Sequence, residues 1–201
     1  VTPSNDTTPS YVFTTNEAGT ITTNIAQGFS TSASAANGNN TVTFNTLPEG
    51  TYADKTVTVT DAAGNASSLT LTTFVVDTTS PTGAITYSAA SPYKQGATAT
   101  VTATFTEALT TTPKIAISGV SSVAATNMTS TGSASVWTYA YTAPAGNGTD
   151  TFAFSIGTDA SGNVVTAAPT SGATVTVDNT SPTISAVTQV VTPSTDTTPS
   201  Y

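Results

Sequence analysis

The sequence has 201 residues, a formal charge of −8 at pH 7 and only 7% charged residues, against roughly 25% in an ordinary globular chain. It lacks Cys and His, which excludes disulfides, thiol catalysis and zinc sites built on thiolate or imidazole, and removes the commonest general base. Three basic residues are too few for a nucleic-acid-binding surface, and no apolar run is long enough to span a membrane. We therefore expect no enzyme activity, no nucleic-acid partner and no membrane insertion.

The two ends of the chain carry nearly the same segment. Residues 1–11 read VTPSNDTTPSY and residues 191–201 read VTPSTDTTPSY, so that only Asn5 and Thr195 differ. Self-similarity at a fixed spacing is the signature of repeat proteins. The sequence therefore predicts a tandem array with a period of 190 residues, in which the partners of this chain are neighbouring repeats of the same protein.

A shorter repeat lies inside this period. The motif DTTSPT at 77–82 recurs as DNTSPT at 178–183, and DAAGN at 61–65 recurs as DASGN at 159–163. The spacing predicts a first module at residues 1–79, a second module at 80–183, and the start of the next repeat at 184–201. The first strand of module one is then expected in the preceding repeat, at the place that residues 184–190 hold in this one.

Along the chain, apolar residues alternate with Thr or Ala in seven stretches, and helical periodicity is absent. Such alternation predicts short strands, bounded here by Asn-, Gly- and Pro-containing turns. Tyr52 precedes one of these strands at a position where a Tyr often bonds back across the corner of a β-sandwich. Trp137, Tyr139 and Tyr141 share one strand face and are expected in a core. The predicted strands are 41–44, 56–60, 69–74, 98–105, 137–141, 152–156 and 174–177.

The motifs at 50–65 and 74–82, with the looser copy at 152–163 and 175–183, resemble the bacterial immunoglobulin-like repeats of giant surface adhesins and biofilm-associated proteins. This resemblance implies an all-β fold of two tandem immunoglobulin-like β-sandwiches forming an extended rod, followed by the first strand of the next repeat. It also implies Ca²⁺ at the joints between modules and no catalysis. The second module lacks the Gly-Thr-Tyr element of residues 50–52, which leaves its strand order open.

The few acidic residues fall at one end of each predicted sandwich. If seven successive strands alternate in direction, every even-numbered strand ends at the same end of the sandwich. The turn after the second strand and the turn after the sixth therefore lie at one pole. Glu107 and Asp159 occupy those turns in module two, and Asp77 lies in the connection that enters the pole. We therefore expect these three carboxylates to converge between the modules, with Asn163 nearby as a further candidate metal ligand.

Module one repeats part of this arrangement. Glu17 and Asp61 occupy the corresponding turns, with Asn65 nearby as a further candidate metal ligand. The third acid would come from the preceding connector. In this chain Asp178 is the acid that would serve the next repeat. The sequence thus predicts one complete site between the modules and a half-site at each end.

Clustered carboxylates repel one another unless they are protonated or bridged by a cation. Ca²⁺ takes 6–8 oxygen ligands at roughly 2.3–2.6 Å, so a structural calcium ion is the predicted cofactor. The alternative is that these acids only stabilise turns, as Asp and Asn often do without metal. Glu49, Asp54 and Asp150 are interpreted as solvated loop residues, and Asp6 and Asp196 are either turn residues or a second ligand group.

The predicted function is a structural repeat, a stalk or fibre segment of a calcium-stiffened extracellular adhesin or surface filament on a bacterial cell. Lateral or head-to-tail copies of the chain are further candidate partners. The alternative function is binding of a glycan or of ice by a secreted protein. Glycan recognition would need exposed aromatic side chains, for which Tyr93, Trp137 and Tyr201 are the candidates.

Overall fold

The computed structural model describes residues 3–186 together with residues 188 and 197. These residues form strands, turns and loops without any helix, so no helix among them could cross a membrane. The all-β class is confirmed. The two hydrophobic cores use residues from different predicted modules, one between Ile21 and Val76 and the other between Ile85 and Val177.

The first core lies among nine strands. They are β1 (Pro3–Ser4), β2 (Ser10–Thr15), β3 (Gly19–Thr23), β4 (Ser34–Ala35), β5 (Gly38–Thr43), β6 (Gly50–Tyr52), β7 (Thr56–Thr60), β8 (Ala66–Thr70) and β9 (Phe74–Val76). Their hydrogen-bonded orders are β4-β3-β7-β8, β1-β9-β6 and β2-β5. β1 runs parallel to β9, and the other pairs are antiparallel.

One predicted strand of this region is wrong. Residues 69–74 are divided between β8, which ends at Thr70, and β9, which begins at Phe74. The amide of Leu71 still donates to the carbonyl of Lys55 at 2.7 Å, in the register of the β7–β8 pair, so the interruption lies after Leu71. The partner strand is interrupted at the same level, between β6 and β7. There Asp54 has a φ of 54°, and the side chain of Asn24 bonds to Asp54 O and Thr56 N.

The expected tyrosine corner is present. The hydroxyl of Tyr52 donates to the carbonyl oxygen of Pro48 at 2.8 Å, and its ring stacks on Phe74 with centroids 4.8 Å apart. The stacked rings join the last residue of β6 to the first residue of β9, and so hold the two strands together. The connector that begins at Asp77 leaves from the other end of this strand pair, where Gly50 faces Val76.

The second core lies among eight strands. They are β10 (Gly83–Tyr87), β11 (Thr98–Phe105), β12 (Lys114–Gly119), β13 (Ser122–Asn127), β14 (Thr129–Ser130), β15 (Val136–Thr142), β16 (Gly148–Ser155) and β17 (Thr174–Val177). Two four-stranded sheets result, with orders β10-β11-β15-β14 and β13-β12-β16-β17. Trp137 and Tyr141 are buried between them and Tyr139 packs against the same core, as predicted.

The limits of the modules at residues 79 and 183 stay predictions. Ile184, at the start of the predicted next repeat, is 89% exposed, and most of residues 184–201 lie outside the described part of the chain.

Asp150 corrects the interpretation of the acids. It was expected in a solvated loop, but it is fully buried and accepts hydrogen bonds from Tyr141 Oη at 2.8 Å and from Ser121 N and Oγ, each at 2.5 Å. β16 begins at Gly148, and its alternation places Asp150 on the same inner face as Phe152 and Phe154. In the sequence, alternation of apolar residues begins only at Phe152, so the pattern did not show that the strand starts four residues earlier, at Gly148.

Removing the hydroxyl that faces Asp150 should destabilise the second core. Tyr141→Phe leaves a buried carboxylate with one donor fewer, which should cost about 1–3 kcal/mol of unfolding free energy. Tyr139→Phe on the same strand is the matched control and should change stability little, because Tyr139 is only half-buried. Urea unfolding followed by the fluorescence of Trp137, the only Trp, measures both variants, and equal stability of the two would contradict the assigned role of Asp150.

Candidate metal centre

Three acidic side chains from distant parts of the sequence meet where the first core ends and the second begins. Asp77 directly follows β9, Glu107 follows β11, and Asp159 opens the turn after β16. One carboxylate oxygen from each lies within 4.8 Å of the others. We call this group the acidic cluster. The structure thus brings together the three residues that the strand count predicted, while their role as metal ligands stays a prediction.

The turn at Asp159 has a defined internal geometry. Its Oδ1 accepts hydrogen bonds from the amides of Ser161 and Asn163, at 2.8 and 2.9 Å, and its Oδ2 accepts one from Asn163 Nδ2 at 3.0 Å. Gly162 has a φ of 94°, a conformation that glycine adopts without steric cost. The Asp-x-x-Gly-Asn spacing therefore encodes a rigid turn that holds a carboxylate only 4% exposed.

Two residues of this turn bind the connector. Ser161 Oγ donates to Asp77 Oδ2 at 2.6 Å, and Asn163 Nδ2 donates to the carbonyl oxygen of Asp77 at 2.9 Å. The backbone of Asn5 also donates to Ser161 O at 3.0 Å. Asn163 therefore positions the acids through its amide nitrogen. The role of Ser161 was missed, because its position in the motif is filled by Ala63 in the first copy.

Glu49 belongs to the same neighbourhood and was also missed. Its Oε2 accepts hydrogen bonds from Thr79 Oγ1 at 2.8 Å and Thr78 Oγ1 at 3.2 Å. With Asp77 and Glu107 it lines an open cleft of about 360 Å³. The pairing of Gly50 with Val76 brings it there, so a correct alignment of β6 beside β9 would have placed this acid next to the connector.

The surroundings of Glu107 disfavour its charged form. Burial raises the pKa of Glu107 above its ordinary value of 4.5, and the charges of Asp77, Asp159 and Glu49 raise it further. A cation at the cluster would remove this repulsion.

The acidic cluster fits Ca²⁺ in chemistry and in size. Two oxygens bound to one calcium ion lie no more than about 5 Å apart, given ligand distances of 2.3–2.6 Å, and the three oxygens here satisfy that limit. Carboxylates are the hard ligands that Ca²⁺ prefers. Asp77, Glu107 and Asp159 would hold the ion, and backbone carbonyls or water would complete its shell.

The first module repeats the turn without the complete cluster. Asp61 Oδ1 accepts from the amides of Ala63 and Asn65, each at 2.8 Å, and its Oδ2 accepts from Asn65 Nδ2 at 2.9 Å. The Asn65 side chain and amide lower the pKa of Asp61. The exposed Glu17 lines one cleft of about 220 Å³ with Asp61 and Asn65, as the half-site prediction requires. Within the described residues no third acid joins them.

Asp178 makes the same local backbone contacts as Asp77. The amide of Asp178 donates to Tyr93 O and that of Asp77 to Ser4 O, both at 2.9 Å. Each carboxylate caps the amide two residues later, in Thr180 and Thr79 respectively. The connector geometry therefore repeats at the end of the second module.

The remaining candidates take other roles. Asp6 is exposed and accepts from the amide and hydroxyl of Thr8, at 2.8 and 3.2 Å, so it forms a turn. Asp196 and Tyr201 lie outside the described residues. Tyr93 and Trp137, proposed for glycan contact, are 4% and 9% exposed and therefore offer no stacking surface.

Residues 2–78 match the family model described as a bacterial Ig-like domain. The match covers less than half of the chain and supports a bacterial Ig-like repeat in its first module. No curated protein matches the sequence.

Neutralising Glu107 should stabilise the chain in the absence of metal. Because the folded chain holds the proton of Glu107 more tightly than the unfolded chain, stability in chelator should rise as pH falls from 7 to about 5, and the gain should level off below the unfolded pKa. Glu107→Gln removes the repulsion, so it should melt higher than wild type at pH 7 and lose this pH dependence. Glu17→Gln, at the matching place in module one, is the control. A lower melting temperature for Glu107→Gln than for wild type in chelator would contradict the repulsion.

Proposed function

We propose that this chain is a structural repeat of a bacterial surface protein, a stalk or fibre segment whose joint is stiffened by Ca²⁺. The observation that carries the proposal is the convergence of Asp77, Glu107 and Asp159 within 4.8 Å at the connector. Asp77 follows the last strand of the first core, whereas the other two acids belong to turns of the second. An ion bound to all three would therefore tie the connector to the second module.

Hydrogen bonds already hold part of this joint. Ser161 and Asn163 bind Asp77, and Asn5 binds Ser161. These bonds place the acids side by side, and their charges then oppose the same arrangement. Calcium would convert this repulsion into attraction, so the joint is expected to be stiffer with the ion than without it.

The expected affinity suits a secreted protein. Extracellular calcium modules bind at about 10⁻⁴–10⁻³ M, so the ion would be absent inside the cell and bound outside. At a calcium concentration ten times Kd, one site adds about 1.4 kcal/mol of stability. The match to a bacterial Ig-like domain supports an extracellular location. The proposed role involves no catalysis.

Thermal unfolding with calcium and with chelator tests the metal site. We expect calcium to raise the melting temperature of wild type by several degrees and Asp159→Asn to lose most of this shift. Asp61→Asn is the matched control, because it removes the same carboxylate from the same turn at a place without the third acid. If both variants retained the full shift, or if wild type showed none, the calcium site would be excluded.

Small-angle X-ray scattering tests the mechanical part. We expect the maximum dimension of wild type to be sharply defined in calcium and to broaden in chelator, while Asp159→Asn should show the broad distribution under both conditions. A wild-type distribution that is indifferent to chelator would leave a stalk stiffened by packing alone.

A further inference from the structure

The two modules differ at one strand. In the second module, β10 is bonded on both edges. Its register pairs Ile85 with Ala103 of β11, and on the other edge the amide of Thr170 donates to Gly83 O at 2.8 Å while the amide of Ile85 donates to Ser171 O at 3.0 Å. β10 therefore closes the gap between its sheet and the segment leading to β17.

The first module has no counterpart of β10 among the described residues. β2 is paired with β5 on one edge, and β8 is paired with β7 on one edge. Within the described part of the chain, no strand covers the opposite edge of either. Both edges that β10 joins in the second module are thus open in the first.

An apolar cleft of about 820 Å³ lies between these open edges. Phe13 lines it from β2, Val57 and Val59 from β7, and Leu69 from β8. Leu69 is 51% exposed, and Val12 on the outer face of β2 is 69% exposed. Open edges next to exposed apolar residues are the places where another strand adds to a sheet.

We propose that residues 184–188 of a second copy of this chain fill this cleft as a strand antiparallel to β2. These residues precede the second copy of the VTPS-x-DTTPSY segment, whose first copy leads into β2. Ile184 and Ala186 are exposed in their own chain, and Ile184 is 89% exposed. Both side chains are therefore accessible to a second copy.

The register of the second module can be carried over to test this fit. Ser-Pro-Thr at 181–183 aligns with 80–82, and Glu17 aligns with Glu107. The pairs Gly83–Phe105, Ile85–Ala103 and Tyr87–Val101 of β10 and β11 then correspond to Ile184–Thr15, Ala186–Phe13 and Thr188–Tyr11.

In each of these three inward-facing pairs, the strand that carries the larger side chain in the second module would carry the smaller one in the proposed pairing. Gly83 leaves no room for a side chain, since an added Cβ would meet Phe105 at 2.8 Å and Phe154 at 2.6 Å, whereas Ile184 would face the smaller Thr15. Ala186 would face the large Phe13. Cores tolerate such exchanges when total volume is kept, so the segment complements the cleft in size as well as in polarity.

The outer face offers a further match. The pairs Ala84–Thr104 and Thr86–Thr102 correspond to Ser185–Thr14 and Val187–Val12. The exposed Val12 would gain a β-branched cross-strand neighbour, a type of pair that stabilises sheets. Because donor and acceptor surfaces differ, the association is head-to-tail and builds chains or rings. The same fit would join successive repeats of one polypeptide.

A disulfide between predicted neighbours tests the proposal, and the absence of natural Cys makes the readout clean. In the full chain carrying Thr14→Cys and Ser185→Cys, mild oxidation should give disulfide-linked dimers and larger head-to-tail products. The matched control is Ser122→Cys with Ser185→Cys, since Ser122 is an exposed residue of β13. The control should form intermolecular links only by random collision, and its yield should be severalfold lower.

Two further measurements separate the outcomes. Adding Ala186→Asp to the Thr14–Ser185 cysteine variant should reduce the linked products to the control level. On the wild-type chain, a synthetic peptide of residues 182–193 should slow hydrogen exchange in residues 10–15, and the same peptide with Ala186→Asp should not. This measurement needs no cysteine and decides the question if the cysteine variants do not fold.

Equal yields from the two cysteine variants, with no exchange protection by the peptide, would overturn the proposal. A disulfide formed within a single chain would also overturn it, because the segment would then occupy its own module one. None of these readouts depends on calcium, so failure of the metal site leaves this test intact.

Discussion

The joint depends on carboxylates that are held close together although their charges oppose it. Backbone amides fix Asp159, and Ser161 and Asn163 bring Asp77 beside it. Glu107 completes the cluster within 4.8 Å, and its pKa is raised by burial and further by the charges of Asp77, Asp159 and Glu49. Hydrogen bonds of the turn thus maintain an arrangement that repulsion between the carboxylates opposes. A divalent cation bound to the carboxylates would remove this repulsion and leave the hydrogen bonds in place.

The rest of the fold serves this geometry by fixing where strands end. The Tyr52 corner and the pairing of β6 with β9 determine where the connector starts. The length of β11 determines where Glu107 is placed, and the end of β16 determines where the Asp159 turn begins. The same connector geometry recurs at Asp178, which is what a tandem array requires if each joint is built alike.

The fold class and the three acids of the cluster could be predicted because both depend on local, repeated patterns. Alternation marked β7, β11 and β17 with correct limits, and a repeated turn motif marked Asp159. Residues whose role depends on tertiary pairing were missed. Asp150 lies on an inner face that alternation revealed only from Phe152 onward. Glu49 reaches the joint only through the β6–β9 register, and the strand expected at 69–74 is divided because its two parts pair with different strands, β7 and β6.

Calcium titration by isothermal calorimetry at physiological ionic strength tests the central claim most directly. The account predicts one principal site per chain in wild type, with affinity in the range of extracellular modules, and loss of that site in Asp159→Asn while Asp61→Asn retains it. Heats of wild type that equal those of dilution, or equal binding by wild type and Asp159→Asn, would contradict the proposal that the acidic cluster is a calcium joint.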